Sequence, residues 1–155
     1  MSQPIINFAS SRRVNPPGVS PVLTAEQVWK GLQIKARDPI SFVAAISSCK
    51  IVEDNGDEFV REVVFGNNPP VQEKIRMYKG AIAFFDMKDP NIHITNTLSV
   101  DENDDLILTF AFAGGVPGYH SKEPPTLQNL NKSVGNGPAI TITRIRELVQ
   151  EGTIV

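Results

Sequence analysis

The stretch Glu58-Phe-Val-Arg-Glu-Val-Val-Phe65 has the period of a β-strand, with Phe59, Val63 and Phe65 on one parity. Because alternate residues of a strand share a face, these three side chains are predicted to point to the same side of a sheet. Arg61 has the same parity, so a charged side chain is predicted among apolar ones. Burying a charge without a partner is costly. The stretch therefore predicts either an internal ion pair or a cavity that a ligand enters.

Two further stretches carry a polar residue on their apolar parity. Glu73 lies in Val71-Gln-Glu-Lys-Ile-Arg-Met-Tyr78, and Asn96 lies in Ile92-His-Ile-Thr-Asn-Thr-Leu-Ser-Val100. Arg61 and Glu73 are on successive predicted strands, so they can meet across the pair. The three polar side chains are therefore expected inside the same sheet.

The period-two pattern continues through six predicted strands joined by short links, which favours an antiparallel meander. Asp54-Asn-Gly-Asp57 is a strong hairpin signal, and Lys79-Gly80 and the acidic turn Asp101-Glu-Asn-Asp104 make two more links. The predicted strands are Ser48–Glu53, Glu58–Phe65, Val71–Tyr78, Ala81–Asp86, Asn91–Val100 and Asp105–Phe112.

Helical signals lie on both sides of this meander. Thr24 and Gln27 form a capping box, after which Val28, Leu32 and Lys35 follow at helical spacing. Asp38-Pro39 marks the start of a second, short helix. The predicted elements outside the meander are a strand over Ile5–Ala9, helices over Ala25–Ala36 and Ile40–Ile46, and a terminal helix over Pro138–Glu151 with an apolar stripe of Ile142, Ile145, Leu148 and Val149.

This order of elements resembles the α+β helix-grip fold, in which a curved antiparallel sheet wraps around a C-terminal helix (β-α-α-β6-α). The fold belongs to the START and birch-pollen-allergen superfamily, also called SRPBCC, and the chain is similar to a small, AtaL-like fungal family of it that is often encoded beside secondary-metabolite pathways. One departure is Asn131–Pro138, where Gly135, Gly137 and Pro138 replace a longer helix. The stretches that carry the resemblance are Leu23–Trp29, Phe59–Gly66, Val71–Ile75, Ile94–Leu98, Leu106–Phe112 and Ile145–Gly152.

Length and composition agree with one domain over residues 1–155. A net charge of −2 gives no basic surface for nucleic acid, and no apolar run is long enough to cross a membrane. Met1-Ser-Gln-Pro-Ile5 lacks the pattern of a secretory signal, and the single Cys49 has no partner for a disulfide. We therefore expect a cytoplasmic protein that binds no nucleic acid and does not insert into membranes.

Arg61, Glu73 and Asn96 are the candidate catalytic residues. In the functional interpretation Arg61 binds an enolate, phenolate or carboxylate oxygen, Glu73 acts as general acid or base, and Asn96 orients a carbonyl. In the structural interpretation Arg61 and Glu73 form a buried pair that fixes strand register, and Asn96 bonds to backbone. Both interpretations fit the sequence.

The candidate ligand-binding residues come from the predicted strands, the loop after the last strand and the terminal helix. For most of the aromatic residues among them, core packing is the simpler explanation. Tyr119 and His120 lie in the glycine-rich loop that follows the last strand, where a loop can cover the mouth of a pocket. Two histidines and one cysteine far apart in sequence argue against a metal site. The full candidate set is Phe59, Ile75, Met77, Ile94, Phe110, Phe112, Tyr119, His120, Ile142 and Ile145.

Two functions follow from the resemblance. The first is a cofactor-free cyclase, aldol or dehydration enzyme of secondary metabolism that acts on a polyketide-like or other apolar substrate. The second is a carrier or binding protein for an apolar ligand, with the same polar residues serving only as an anchor. A filled core without a ligand is a third alternative, and a homodimer is compatible with the sequence.

Overall fold

The computed structural model describes residues 5–119 and 121–155. In these residues seven strands form one antiparallel sheet in the order β1-β7-β6-β5-β4-β3-β2, so the α+β helix-grip architecture is confirmed. The elements are β1 Phe8–Arg13, α1 Ala25–Arg37, β2 Ile46–Asp54, β3 Glu58–Phe65, β4 Val71–Tyr78, β5 Ile82–Met87, β6 His93–Val100, β7 Leu106–Ala113, α2 Leu127–Lys132 and α3 Gly137–Gln150.

The register of the sheet brings the three polar residues to its inner face. Arg61 on β3 lies directly opposite Glu73 on β4. Asn96 on β6 lies opposite Ala83 on one side and Phe110 on the other. The alternation of side chains therefore placed all three as predicted, and each of them is buried.

The predicted capping box is present at the start of α1, because Thr24 accepts from the backbone amide of Gln27 and the Gln27 side chain accepts from the backbone amide of Thr24.

Helices α1 and α3 approach each other closely at Gly31. A Cβ atom on Gly31 would overlap the side chain of Ile145 on α3. The missing side chain therefore lets the two helices pack together at this point.

The predicted second helix is wrong. Residues 39–45 form turns, in which the amides of Phe42 and Val43 both donate to the carbonyl of Pro39. One hydrogen-bonded turn is too short to propagate as a helix, and Ile46 already belongs to β2. This segment, named the 39–45 turn below, forms part of the cavity rim.

The first strand also lies further along the chain than expected. It runs over Phe8–Arg13, where it pairs with β7, and Ile5 is exposed. The prediction placed this strand too early because it followed the apolar run Ile5–Ala9. Backbone pairing does not require apolar side chains, so the strand continues through Ser10 and Ser11.

Both ends of the terminal helix lie within one residue of the predicted ends. The helix is also interrupted before this point, as the sequence of Asn131–Pro138 indicates. Helix α2 ends at Lys132, a 3₁₀ turn covers Val134–Asn136, and α3 starts at Gly137. A Cβ atom on Gly137 would come within 3.1 Å of the ring of Phe110. The glycine thus allows the start of α3 to lie close to the sheet.

No helix in the described part of the chain is both long and apolar enough to cross a membrane.

Candidate active site

A cavity of about 520 Å³ lies between the inner face of the sheet and the start of α3. Its volume is in the range of small-molecule sites, and most of its lining side chains are apolar. The rim comes from the 39–45 turn and from the loop after β7, including Val116 and Tyr119. The polar side chains on its wall include Lys35, Arg61, Glu73, Asn96 and Thr141.

Arg61 and Glu73 form a buried ion pair on this wall. Nε of Arg61 donates to Oε1 of Glu73 at 3.0 Å, and Nη2 lies 2.8 Å from the same oxygen. Nη1 donates at 2.8 Å to the carbonyl of Ala36, in the last turn of α1. Carbonyl groups at a helix end lack intrahelical partners. Arg61 therefore links α1 to β3 and β4, in addition to forming the buried pair with Glu73 that the structural interpretation predicted.

Lys35 is the charged residue on the cavity wall that the sequence analysis missed. It is only 6% exposed, and its Nζ donates to Oδ1 of Asn96 at 2.8 Å. Within the described residues Lys35 has no salt bridge to a carboxylate. The sequence did indicate that Lys35 is buried, because it follows Val28 and Leu32 at helical spacing and so shares the buried face of α1.

The surroundings of Lys35 disfavour its charged form. Burial lowers the pKa of Lys35 from the ordinary 10.5 to about 7, and the nearby charge of Arg61 also lowers it, while Glu73 opposes the shift. Nζ lies 4.9 Å from the ring centre of Phe85 and 4.7 Å from that of Phe110. The two rings partly stabilise the ammonium form through cation–π contact. A large share of this amine is therefore neutral near pH 7.

Unlike the Lys35 amine, two polar atoms on the cavity wall have no hydrogen-bond partner within the described residues. They are Nδ2 of Asn96 and Oγ1 of Thr141, and both residues are almost completely buried. A buried polar group without a partner costs about 1–3 kcal/mol. A ligand with an oxygen function at each position would remove this cost.

Comparison with known proteins gives the family. The model of the AtaL family, described as acetylaranotin biosynthesis cluster protein L, matches residues 8–152. The chain belongs to the AtaL family. No curated protein matches the sequence.

Two solved structures share the fold of this AtaL-family chain. The crystal structure of StfQ, a di-domain ARO/CYC from the steffimycin biosynthetic pathway, has a TM-score of 0.64 at 7% identity and is matched over 96% of this chain. The match spans 52% of StfQ, so this chain has about half its length. The crystal structure of Ara h 8.0201 has a TM-score of 0.55 at 13% identity, over 92% of this chain and 98% of the other. At these identities the likeness establishes the fold alone.

The structure of the AtaL-family chain separates the predicted ligand-binding residues into two groups. Ile94, Phe110, Phe112 and Tyr119 lie on the cavity wall together with Arg61, Glu73 and Asn96. His120 lies outside the described residues. The other five, Phe59, Ile75, Met77, Ile142 and Ile145, lie in the packed core and do not line the cavity.

Among residues 5–119 and 121–155 no three His, Cys, Asp or Glu side chains come together in a way that would hold a metal ion. The polar groups on the cavity wall are instead a carboxylate, an amide, a guanidinium, an amine and several hydroxyl groups. These groups can transfer protons and bind oxygen atoms of a ligand.

Proposed function

We propose that the cavity binds a largely apolar molecule with a ketone function and converts it without a cofactor, by a cyclisation, aldol or dehydration step of secondary metabolism. The observation that carries this proposal is the cluster of buried polar groups on a mostly apolar wall, in which Asn96 Nδ2 and Thr141 Oγ1 have no partner among the described residues. The description of the AtaL family supports a role in a biosynthetic pathway. StfQ, described as an ARO/CYC, shows that related folds occur in such pathways.

The roles of the residues follow from their contacts. Asn96 donates from Nδ2 to the ketone oxygen, which polarises the carbonyl and makes the neighbouring C–H more acidic. Both contacts that Arg61 makes with Glu73 are to Oε1, which leaves Oε2 to take that proton. In a dehydration, Glu73 returns the proton to the β-hydroxyl group, which leaves as water while the C=C bond forms.

A carrier is the second candidate function, and one observation favours it. The Arg61 guanidinium is already bonded to Glu73 and to the Ala36 carbonyl. The pair is thus satisfied without a ligand, and Asn96 and Thr141 alone would anchor one. A carrier would bind the same molecules and release them unchanged.

Turnover and binding of an aryl β-hydroxyketone separate the two functions. Dehydration gives a conjugated enone that is followed by near-ultraviolet absorbance, and binding is followed by native mass spectrometry. We expect Glu73→Gln to lower turnover per folded molecule at least about a hundredfold while affinity stays nearly unchanged. Binding without turnover by the wild type would favour the carrier.

The matched control is Glu62→Gln. Glu62 lies on the same strand as Arg61 but pairs with Lys50 near the surface, so its turnover should equal that of the wild type. If Glu73→Gln merely lowers the melting temperature and its folded fraction keeps full turnover, Glu73 has only a structural role. Native mass spectrometry of protein purified from its own host, with extraction of bound compounds, would identify the natural ligand class.

A further inference from the structure

We infer that the amine of Lys35 is a covalent attachment point, where a ketone or aldehyde of the bound molecule forms an imine. This inference rests on the proposed function, since it requires a carbonyl ligand in the same cavity. It assigns a nucleophile to a site in which the sequence had indicated only Arg61, Glu73 and Asn96.

The position of Nζ makes attack on a ligand feasible. Lys35 is on the cavity wall, and its one hydrogen bond within the described residues goes to Oδ1 of Asn96 at 2.8 Å. In the part of the chain that the structure describes, no carboxylate lies within salt-bridge distance to hold the amine as an ammonium ion. A neutral amine that keeps its lone pair is the nucleophilic form.

Asn96 is suited to assist the same reaction from the other end of its amide group. Oδ1 accepts from Lys35, while Nδ2 is buried on the cavity wall without a partner among the described residues. A carbonyl oxygen bonded to Nδ2 would lie beside the amine that attacks its carbon. The amide thus orients the nucleophile and the electrophile together.

The aromatic rings next to Lys35 define the class of carbonyl compound. Phe85 and Phe110 both lie within 5 Å of Nζ, measured to their ring centres, and both line the cavity. Flat conjugated molecules stack on such rings. Aryl ketones and aryl β-diketones therefore fit better than branched aliphatic ketones.

The chemistry balances without any added oxidant or reductant. The amine nitrogen adds to the carbonyl carbon to give a carbinolamine, and the C–O bond then breaks as the C=N bond forms. The two amine hydrogens leave with the carbonyl oxygen as water. With a β-diketone the imine shifts a carbon-bound proton to nitrogen and becomes a stable, conjugated enaminone.

Charge around the amine supports this assignment. Burial lowers the pKa of Lys35 to about 7, so about half of the amine is neutral at pH 7, against less than about one part in a thousand for an ordinary lysine. The charged groups that face it from the strands are Arg61 and Glu73, which act in opposite directions. The rate of covalent attachment should accordingly fall as the pH drops below 7.

Benzoylacetone, an aryl β-diketone, is the probe for the test. The wild-type protein is incubated with it at pH 7, enaminone formation is followed by absorbance, and peptide mapping locates the adduct. We expect an adduct of benzoylacetone minus water on Lys35, formed at least about tenfold faster than on any other lysine. Attachment to Lys35 no faster than to the exposed Lys79 would overturn the inference.

Variants and pH separate this result from surface labelling. Lys35→Arg and Lys35→Met should both lose the adduct, and Lys79→Arg should keep it. If neither Lys35 variant folds, the wild-type rate between pH 6 and pH 8 decides. The rate at Lys35 should rise only about tenfold over this range, against about a hundredfold for an ordinary lysine, and a hundredfold rise at Lys35 would contradict the inference.

The covalent inference and the proposed function fail in different ways. Dehydration of the β-hydroxyketone that depends on Glu73, with no adduct on Lys35, would refute the nucleophile and leave the proposed function standing. An adduct on Lys35 without any turnover would refute the enzyme and leave a carrier that holds its ligand by a reversible imine.

Discussion

The interior of the helix grip has a core half and a cavity half, and the same elements build both. The core half contains Phe59, Met77, Leu98, Leu108 and Ile145, which pack in one apolar cluster. The cavity half contains Phe65, Glu73, Asn96, Phe112 and Thr141, which line the cavity.

The difference between the halves lies in position along each element. On β3 the inward side chains run from Phe59 in the core half to Phe65 in the cavity half, and the parity is the same throughout. At the core end α1 touches α3 through Gly31 and Ile145, which leaves no space. At the other end the 39–45 turn and the loop after β7 form a rim instead. Parity therefore decides which side chains face inward, and the helix contact decides where the interior is filled.

Truncation of one isoleucine in each half gives the largest expected difference. Ile145→Ala should lower the free energy of unfolding by about 2–5 kcal/mol, because Ile145 is fully buried and the resulting cavity cannot collapse well. Ile140→Ala, on the half-exposed cavity wall, should cost less than about 1 kcal/mol. Chemical denaturation measures both values. Equal losses would mean that the two halves are packed alike.

The pH dependence of stability sharpens the comparison at Lys35. The pKa of Lys35 is about 7 in the folded chain against 10.5 ordinarily, so the unfolded chain binds more protons between these values. Stability from this group is therefore absent below pH 7 and increases with pH from about 7 to 10.5, by up to about 1.4 kcal/mol per pH unit. Lys35→Met should abolish this part of the slope.

The measurement for Lys35 is denaturant unfolding at pH 7 and pH 9. The exposed Lys79 provides the control, because Lys79→Met should leave the difference between the two pH values as in the wild type. An unchanged difference in Lys35→Met would show that this lysine is not the titrating group.

The smallest expected effects compare two buried hydroxyl groups that have no hydrogen-bond partner in residues 5–119 and 121–155. Thr141 lies on the cavity wall, whereas Ser10 on β1 does not. Thr141→Val and Ser10→Ala should each stabilise the free protein by about 1 kcal/mol, since an unpaired polar atom is removed. Only Thr141→Val should also weaken ligand binding, by about tenfold. Thermal unfolding and native mass spectrometry with benzoylacetone test the pair, and equal affinities for the two variants would contradict a ligand contact at Thr141.

Local pattern predicted much of the fold but less of the candidate site. The strands of the meander, the capping box at Thr24 and the terminal helix all follow from periodicity and capping signals, which act over a few residues. The 39–45 turn was mistaken for a helix because its apolar residues have helical spacing. In the structure the side chains of Phe42, Val43, Ala44 and Ala45 in this turn line the cavity instead.

The sequence by itself determined that Arg61, Glu73 and Asn96 face the interior of the sheet, because side-chain alternation is a property of each strand alone. Only the tertiary structure decided that Phe59 and Ile145 fill a core while Asn96 and Thr141 border a cavity. It also brought Lys35 from α1 to Asn96, 61 residues further along the chain. The physical reason is that local patterns fix the direction of a side chain, whereas empty space and partner contacts depend on how distant elements pack.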